Sequence, residues 1–128
     1  MRKSKQRTVL VVDDEEFIGS ILKRMLESVG HSVVVCSSSV EALAVSRTVE
    51  PELVISDFNL PGYQDGVDLC LAIRQAANRN VPAIIISGQT NNARKSQQNG
   101  FAFLGKPLKK MQLLNLVDNC LNYSAPVG

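Results

Sequence analysis

Apolar and polar positions alternate along this chain in blocks. Runs of four or so Val, Ile and Leu residues are separated by longer segments in which apolar residues recur every three to four positions. VLVV (9–12), SVVVCSS (32–38), LVIS (53–56), AIII (83–86) and FAFL (101–104) are the short runs. A run of this length, continuous rather than alternating, predicts a strand covered on both faces, as in a parallel sheet. Between the first two runs, Phe17, Ile18, Ile21, Leu22, Met25, Leu26 and Val29 form a helical stripe that stops at Gly30. Ser39 is read as the N-cap of a second helix with Ala42 to Val49 in its body and Pro51 as its stop. Asp65 to Ala77 carries Leu69, Cys70, Ile73 and Ala77 on one stripe. From Leu108, the residues Leu113, Leu114, Leu116, Val117, Cys120 and Leu121 make the apolar arc of a last helix. Strands alternating with helices of this length imply right-handed βαβ crossovers, hence an α/β domain with one doubly wound, five-stranded parallel sheet. The segment between Gln89 and Gly100, TNNARKSQQN, offers only Ala93 for burial, which predicts a fourth helix that is short or irregular.

The polar residues that end these runs carry the chemistry. VLVV runs into Asp13 and Asp14, LVIS into Asp57, AIII into Ser87, and FAFLG into Lys106 and Pro107. Parallel strands bring their C-terminal ends to one edge, where open α/β sheets place their sites, so these side chains are expected to converge. Three carboxylates held together repel one another unless a cation lies among them. Oxygen ligands without His or Cys favour Mg2+, which binds through one or two carboxylates plus phosphate oxygens. A carboxylate flanked by such an ion and a lysine can attack a phosphoryl group to give an aspartyl phosphate. Asp57, alone at the end of the central buried strand, is the candidate nucleophile. Lys106 would pair with a phosphoryl oxygen and Ser87 would hydrogen-bond another.

Composition narrows the alternatives. A chain of 128 residues with 45% hydrophobic content fits one domain with one core. Arg2, Lys3, Lys5 and Arg7 crowd into the first seven positions, and the remainder holds 10 basic and 12 acidic residues. That slightly acidic body gives no support for nucleic-acid binding. The apolar runs are too short for a bilayer and no apolar signal core follows the basic start, so no membrane contact and a cytoplasmic location are expected. Cys36, Cys70 and Cys120 lie widely spaced within apolar pattern and read as reduced core or near-surface residues. His31 is the only histidine, which excludes a multi-His metal site, and it reads as a loop residue. Residues 1–7 are expected to be a basic tail, 8–122 the domain, and 123–128 a C-terminal tail or the start of a linker.

Together, VVDDEE, ISDFNLPGYQDG, IIISG and FLGKPL resemble the receiver domain of two-component response regulators, over essentially all of residues 8–122. A single one of these motifs is common; all four in order, with an Asp at the third strand, are specific. The resemblance implies a flavodoxin-like sheet of strand order 2-1-3-4-5. It makes Asp57 the phosphoacceptor and Asp13 and Asp14 the acidic pair around Mg2+, with Asn59 a metal ligand through its main-chain carbonyl. Ser87 and Lys106 match the hydroxyl and lysine that read the phosphorylated state, and Lys106–Pro107 is expected to be cis. Phe103 matches an aromatic switch position and reads equally well as a plain core aromatic. Two departures stand out. Asp65-Gly66 falls one residue late after Asp57, lengthening the Gly62 to Gln64 loop, and the interval from Ser87 to Lys106 is short.

The implied partners are a histidine kinase or histidine phosphotransfer protein upstream and a protein target downstream. The implied activity is assistance to the domain's own phosphorylation and dephosphorylation rather than turnover of a separate substrate. A phosphorylation-independent docking module on the same fold is the alternative, but it has no physical need for mutually repelling carboxylates. A haloacid dehalogenase-type hydrolase would need a second Asp where Asn59 stands. Flavin binding would need a phosphate-cradling loop where Asp13 and Asp14 stand.

Overall fold

The computed structural model describes residues 7–62 and 64–122. Expectations for residues 1–6, for Tyr63 in the lengthened loop and for 123–128 lie outside the described residues. The chain runs β1 (Thr8–Val12), α1 (Glu16–Glu27), β2 (Ser32–Cys36), α2 (Ser39–Val49), β3 (Leu53–Asp57) and α3 (Gly66–Ala77). It continues through β4 (Ala83–Ser87), a 3-10 turn (Thr90–Asn92), α4 (Ala93–Gln98), β5 (Ala102–Gly105) and α5 (Lys110–Asn122). The strands form one parallel sheet in the order β2-β1-β3-β4-β5, as expected.

Every residue of β3 and β4 is buried, because helices cover both faces of the sheet. Side chains alternate across the strands. Leu10, Val12, Val54 and Ile85 pack with α3 residues Val67, Leu69, Cys70 and Ile73 on one face. Val9, Val11, Ile55, Ile84 and Ile86 pack with Leu22 and Leu26 of α1 and with Leu113, Val117 and Leu121 of α5 on the other.

Local chemistry sets the helix ends. Asp65 accepts the Asp68 N–H at 2.9 Å while Asp68 accepts the Asp65 N–H at 3.2 Å, a reciprocal cap at the start of α3. Glu50 (φ 52°) and Asn78 (φ 53°) end α2 and α3 in left-handed conformation. The cap of α2 is Ser38 rather than Ser39: its Oγ accepts the Glu41 N–H at 3.2 Å, and Ser39 is the first, buried helical residue. Two stripes are shorter than expected. Phe17 is 73% exposed and Val29 44% exposed at the two ends of the α1 stripe, and Ala77 is exposed at the end of α3. Phe17 lies in the first turn of α1 and Ala77 in the last turn of α3, while Val29 falls beyond the end of α1.

The fourth helix is short, as expected, but Ser96 rather than Ala93 is its fully buried residue. Polar contacts hold it in place. Ser96 Oγ donates to the Asn92 carbonyl at 3.1 Å. Lys95 Nζ reaches Asp65 at 2.6 Å and Asp68 at 3.1 Å, clasping α4 to the N-terminus of α3. With Lys95 43% exposed, such a clasp contributes little to global stability. Lys95→Met is therefore expected to cost under about 1 kcal/mol in urea unfolding at low salt, with the deficit shrinking further in 1 M salt.

Candidate phosphoryl-transfer site

The C-terminal edge of the sheet gathers the side chains expected there. β1 ends at Val12 and delivers Asp13, whose N–H donates to the Cys36 carbonyl at 3.0 Å and so stays in line with the sheet. β3 delivers Asp57, β4 delivers Ser87 and β5 leads into Lys106, whose N–H donates to the Ser87 carbonyl at 2.8 Å. The Lys106–Pro107 peptide is cis, as expected.

Lys106 Nζ stands 3.3 Å from Asp57 Oδ2, 3.8 Å from Glu15 Oε1 and 4.0 Å from Asp13 Oδ2. Asp13 and Asp57 are buried, whereas Asp14 is exposed at the rim. Each carboxylate holds one oxygen with a main-chain amide: Asp13 Oδ1 accepts the Glu15 N–H at 2.9 Å, and Asp57 Oδ1 accepts the Asn59 N–H at 3.2 Å. Asp57 Oδ2 is left to Lys106. Asp13 Oδ2 is buried without a hydrogen-bond partner among the described residues. Burial pushes the Asp13 carboxyl up to about 6. The Glu15 amide opposes that rise, the Asp57 carboxylate adds to it, and Lys106 opposes it from too far to cancel it.

An orphaned carboxylate oxygen is costly unless a cation completes it. One oxygen each from Asp13, Asp14 and Asp57 lies within 4.8 Å of the others, a donor set of oxygen alone. The residues therefore fit a hard divalent cation such as Mg2+. Asn59 is beside this set, its main-chain N–H donating a hydrogen bond to Asp57 Oδ1.

Ser87 is 1% exposed, and its Oγ accepts from the Gln89 N–H at 3.0 Å and from Asn92 Nδ2 at 2.8 Å. Phe103 is partly buried against the α3 side of the core, a position compatible with both readings of it. The contacts of three residues at this edge escaped sequence reasoning: those of Asn92, Lys95 and Gly66. The Asp65-x-x-Asp68 spacing was a visible capping signal, and Gly66 stood in the motif, but their contacts across the fold have no local signature. A cleft of about 1020 Å³ lies at the opposite edge of the sheet, lined by Arg74, Arg79 and Asp118 among others, so cavity volume alone would misplace the chemistry. The cysteines are free, and burial pushes the Cys36 and Cys70 thiols up to about 11 and about 12, out of reactive range.

Comparison with known proteins places this constellation. The family model for the response regulator receiver domain matches residues 9–118. The transcriptional regulatory protein GlrR of Escherichia coli K12 is 36% identical over 121 residues, covering 92% of this chain and 27% of its own length. PhoP of Bacillus subtilis, an alkaline phosphatase synthesis transcriptional regulatory protein, is 41% identical over 69 residues, covering 54% of this chain and 28% of its own. The chain thus spans roughly a quarter of the length of these curated relatives. Among solved structures, a putative response regulator from Chloroflexus aurantiacus superposes with TM-score 0.84 at 30% identity, over 91% of this chain and 98% of its own. The chemotaxis response regulator CheY4 of Vibrio cholerae gives 0.82 at 26% identity, over 91% and 100%. With the acidic edge and its lysine lying inside the matched span, the chain belongs to the response regulator receiver domain family.

Proposed function

We propose that this domain accepts a phosphoryl group on Asp57, with Mg2+ bound, and that the modified form changes its protein contacts. The observation that carries the reading is the buried Asp57 carboxylate 3.3 Å from the Lys106 ammonium, beside an Asp13 oxygen that has no hydrogen-bond partner among the described residues. In the transfer, an Asp57 oxygen forms a bond to phosphorus. The bond from phosphorus to the donor, a histidine nitrogen or an acyl oxygen, breaks and its electron pair leaves with the donor. Asp13, Asp14, Asp57 and the Asn59 carbonyl would hold the cation, which when bound offsets negative charge on the transferring oxygens. Lys106 supplies a second, fixed positive charge from the β5 side. The main-chain amide on Asp57 Oδ1 holds the carboxylate's rotation so that it meets the donor in one orientation.

This chemistry makes the domain a participant in its own modification and not an enzyme with a separate substrate. A histidine kinase or histidine phosphotransfer protein would be the donor, and a protein target would read the result. A cytoplasmic setting suits both partners. Among the described residues no helix is long and apolar enough to cross a membrane.

Incubation with acetyl phosphate, followed by intact-mass measurement and mapping of the modified peptide, tests the proposal. The expected result is a gain of one phosphoryl group, dependent on Mg2+ and located at Asp57. No gain, together with no binding of beryllofluoride to exclude rapid hydrolysis, would leave phosphorylation-independent docking as the function.

A further inference from the structure

Asn92 lies outside the carboxylate and lysine set, yet it touches the Ser87 hydroxyl at the site edge. A serine oxygen has two acceptor lone pairs and one proton to donate. At Ser87 both acceptor positions are filled, by the Gln89 amide at 3.0 Å and by Asn92 Nδ2 at 2.8 Å. With those two directions taken, the hydroxyl proton is turned away from both donors and can only be given to a third group. The register of the sheet places that group. Asp57 pairs with Ile86 on the adjoining strand, so Ser87 stands one residue farther toward the site edge, next to where a group carried by Asp57 would project.

Resting on the phosphoacceptor reading above, we propose that Asn92 is a positioning residue that presets the Ser87 hydroxyl as a hydrogen-bond donor to an oxygen of a phosphoryl group on Asp57. The surroundings of Asn92 suit that task. Its N–H donates to the Gln89 carbonyl at 3.2 Å, and its carbonyl accepts from Ser96 Oγ at 3.1 Å. Lys95, three residues on, is clamped to Asp65 and Asp68. The 3-10 turn and the short α4 thus hold one amide side chain against Ser87, although the segment has almost no apolar face.

The amide's orientation is the crux. An acceptor in place of Nδ2 would take the Ser87 proton and leave none for a phosphoryl oxygen. Asn92→Asp imposes that acceptor without changing the shape of the side chain, whereas Asn92→Ala removes the contact and leaves the proton free to rotate.

Rates of Asp57 modification by acetyl phosphate with saturating Mg2+, and affinities for beryllofluoride, would be measured for wild type, Asn92→Asp and Asn92→Ala. Both substitutions would then be repeated in a Ser87→Ala background. The expected result is a loss of about tenfold or more for Asn92→Asp and a smaller loss of about threefold for Asn92→Ala, with both losses vanishing when Ser87 is absent. An added negative charge or a loosened turn acting by itself would slow the Ser87→Ala protein equally, and that persistence would overturn the proposal. So would an Asn92→Asp protein as fast as wild type. A wild type that takes no phosphoryl group and binds no beryllofluoride would overturn the phosphoacceptor reading and this one with it. A reactive wild type with an unaffected Asn92→Asp protein overturns this one alone.

Discussion

Asp13→Asn is expected to stabilise the metal-free protein at pH 7 by about 2 to 3 kcal/mol while weakening Mg2+ binding by about two orders of magnitude. The two effects share one cause. Asp13 is held in the sheet by its own strand and by the Glu15 amide, so it cannot swing out to water, and one of its oxygens has no hydrogen-bond partner among the described residues. Burial therefore raises its carboxyl to about 6, first by desolvation and then with the help of Asp57. A carboxyl whose folded value lies above its unfolded one, about 4, binds more protons in the folded state between those two values. Stability then falls as pH rises from about 4 to 6, and the loss is complete above that window. Asn cannot ionise, so it escapes the loss. Chemical unfolding of both proteins in chelator at pH 4 and pH 7 checks this: the advantage of Asp13→Asn should be near zero at the lower pH and full at the higher. Equal stability at pH 7 would show that the Asp13 charge is already compensated without metal. Titration with Mg2+ should reverse the order, because the wild type gains from binding what the variant cannot. Phosphorylation by acetyl phosphate should fall in step with the lost cation.

Gly66→Ala is the second large effect, and two opposing terms decide its sign. Replacing glycine by alanine within a helix ordinarily gains up to about 1 kcal/mol. Here the added carbon would lie 2.3 Å from the Asp57 carbonyl oxygen, 3.0 Å from Ser56 Oγ and 3.1 Å from the Asp57 carbonyl carbon. Backbone cannot rotate away as a side chain can. α3 must back off from β3, disturbing the 2.8 Å bond from the Gly66 N–H to the Phe58 carbonyl. Overpacking of this kind costs about 3 kcal/mol or more and outweighs the helical gain. For a domain of this size that corresponds to a fall in Tm of roughly 10 °C. Because the displaced atoms belong to Asp57 itself, phosphorylation should slow even at temperatures where the variant is folded. Gly88→Ala, whose added carbon meets nothing within 4 Å, is the control for the thermal melts. If Gly66→Ala melts as high as that control, the close approach of α3 to the site strand is not a constraint.

The contrast between these residues shows what was legible in the sequence. Strands buried on both faces are written as unbroken apolar runs, and the residue that follows each run is fixed to the sheet edge by chain geometry. Asp13, Asp57, Ser87 and Lys106 were therefore readable together. Helix stripes were readable in phase but not in extent. Phe17 and Val29 continue the α1 period in sequence yet stay exposed, Val29 beyond the last residue of the helix, and period alone does not say where burial stops. Ser38 and Ser39 are equivalent as letters; backbone geometry decides which caps α2. Asn92, Lys95 and Gly66 matter through partners that lie 5, 30 and 9 positions away, on other elements. Periodicity, which compares neighbours on one helix or strand, has no access to such pairs.

The clasp on α4 bears on the thermodynamics of any motion at this end of the molecule. An element seated by apolar carbon carries a large heat-capacity change when it lifts away, so the enthalpy of that opening changes steeply with temperature. The fourth helix is seated chiefly by an ammonium between two carboxylates, a buried serine hydroxyl and an amide. Lifting it uncovers little hydrocarbon. The enthalpy of its opening therefore changes little with temperature, and its open population answers to the ionic medium and to the charge at the strand ends, the variable that a phosphoryl group on Asp57 would change.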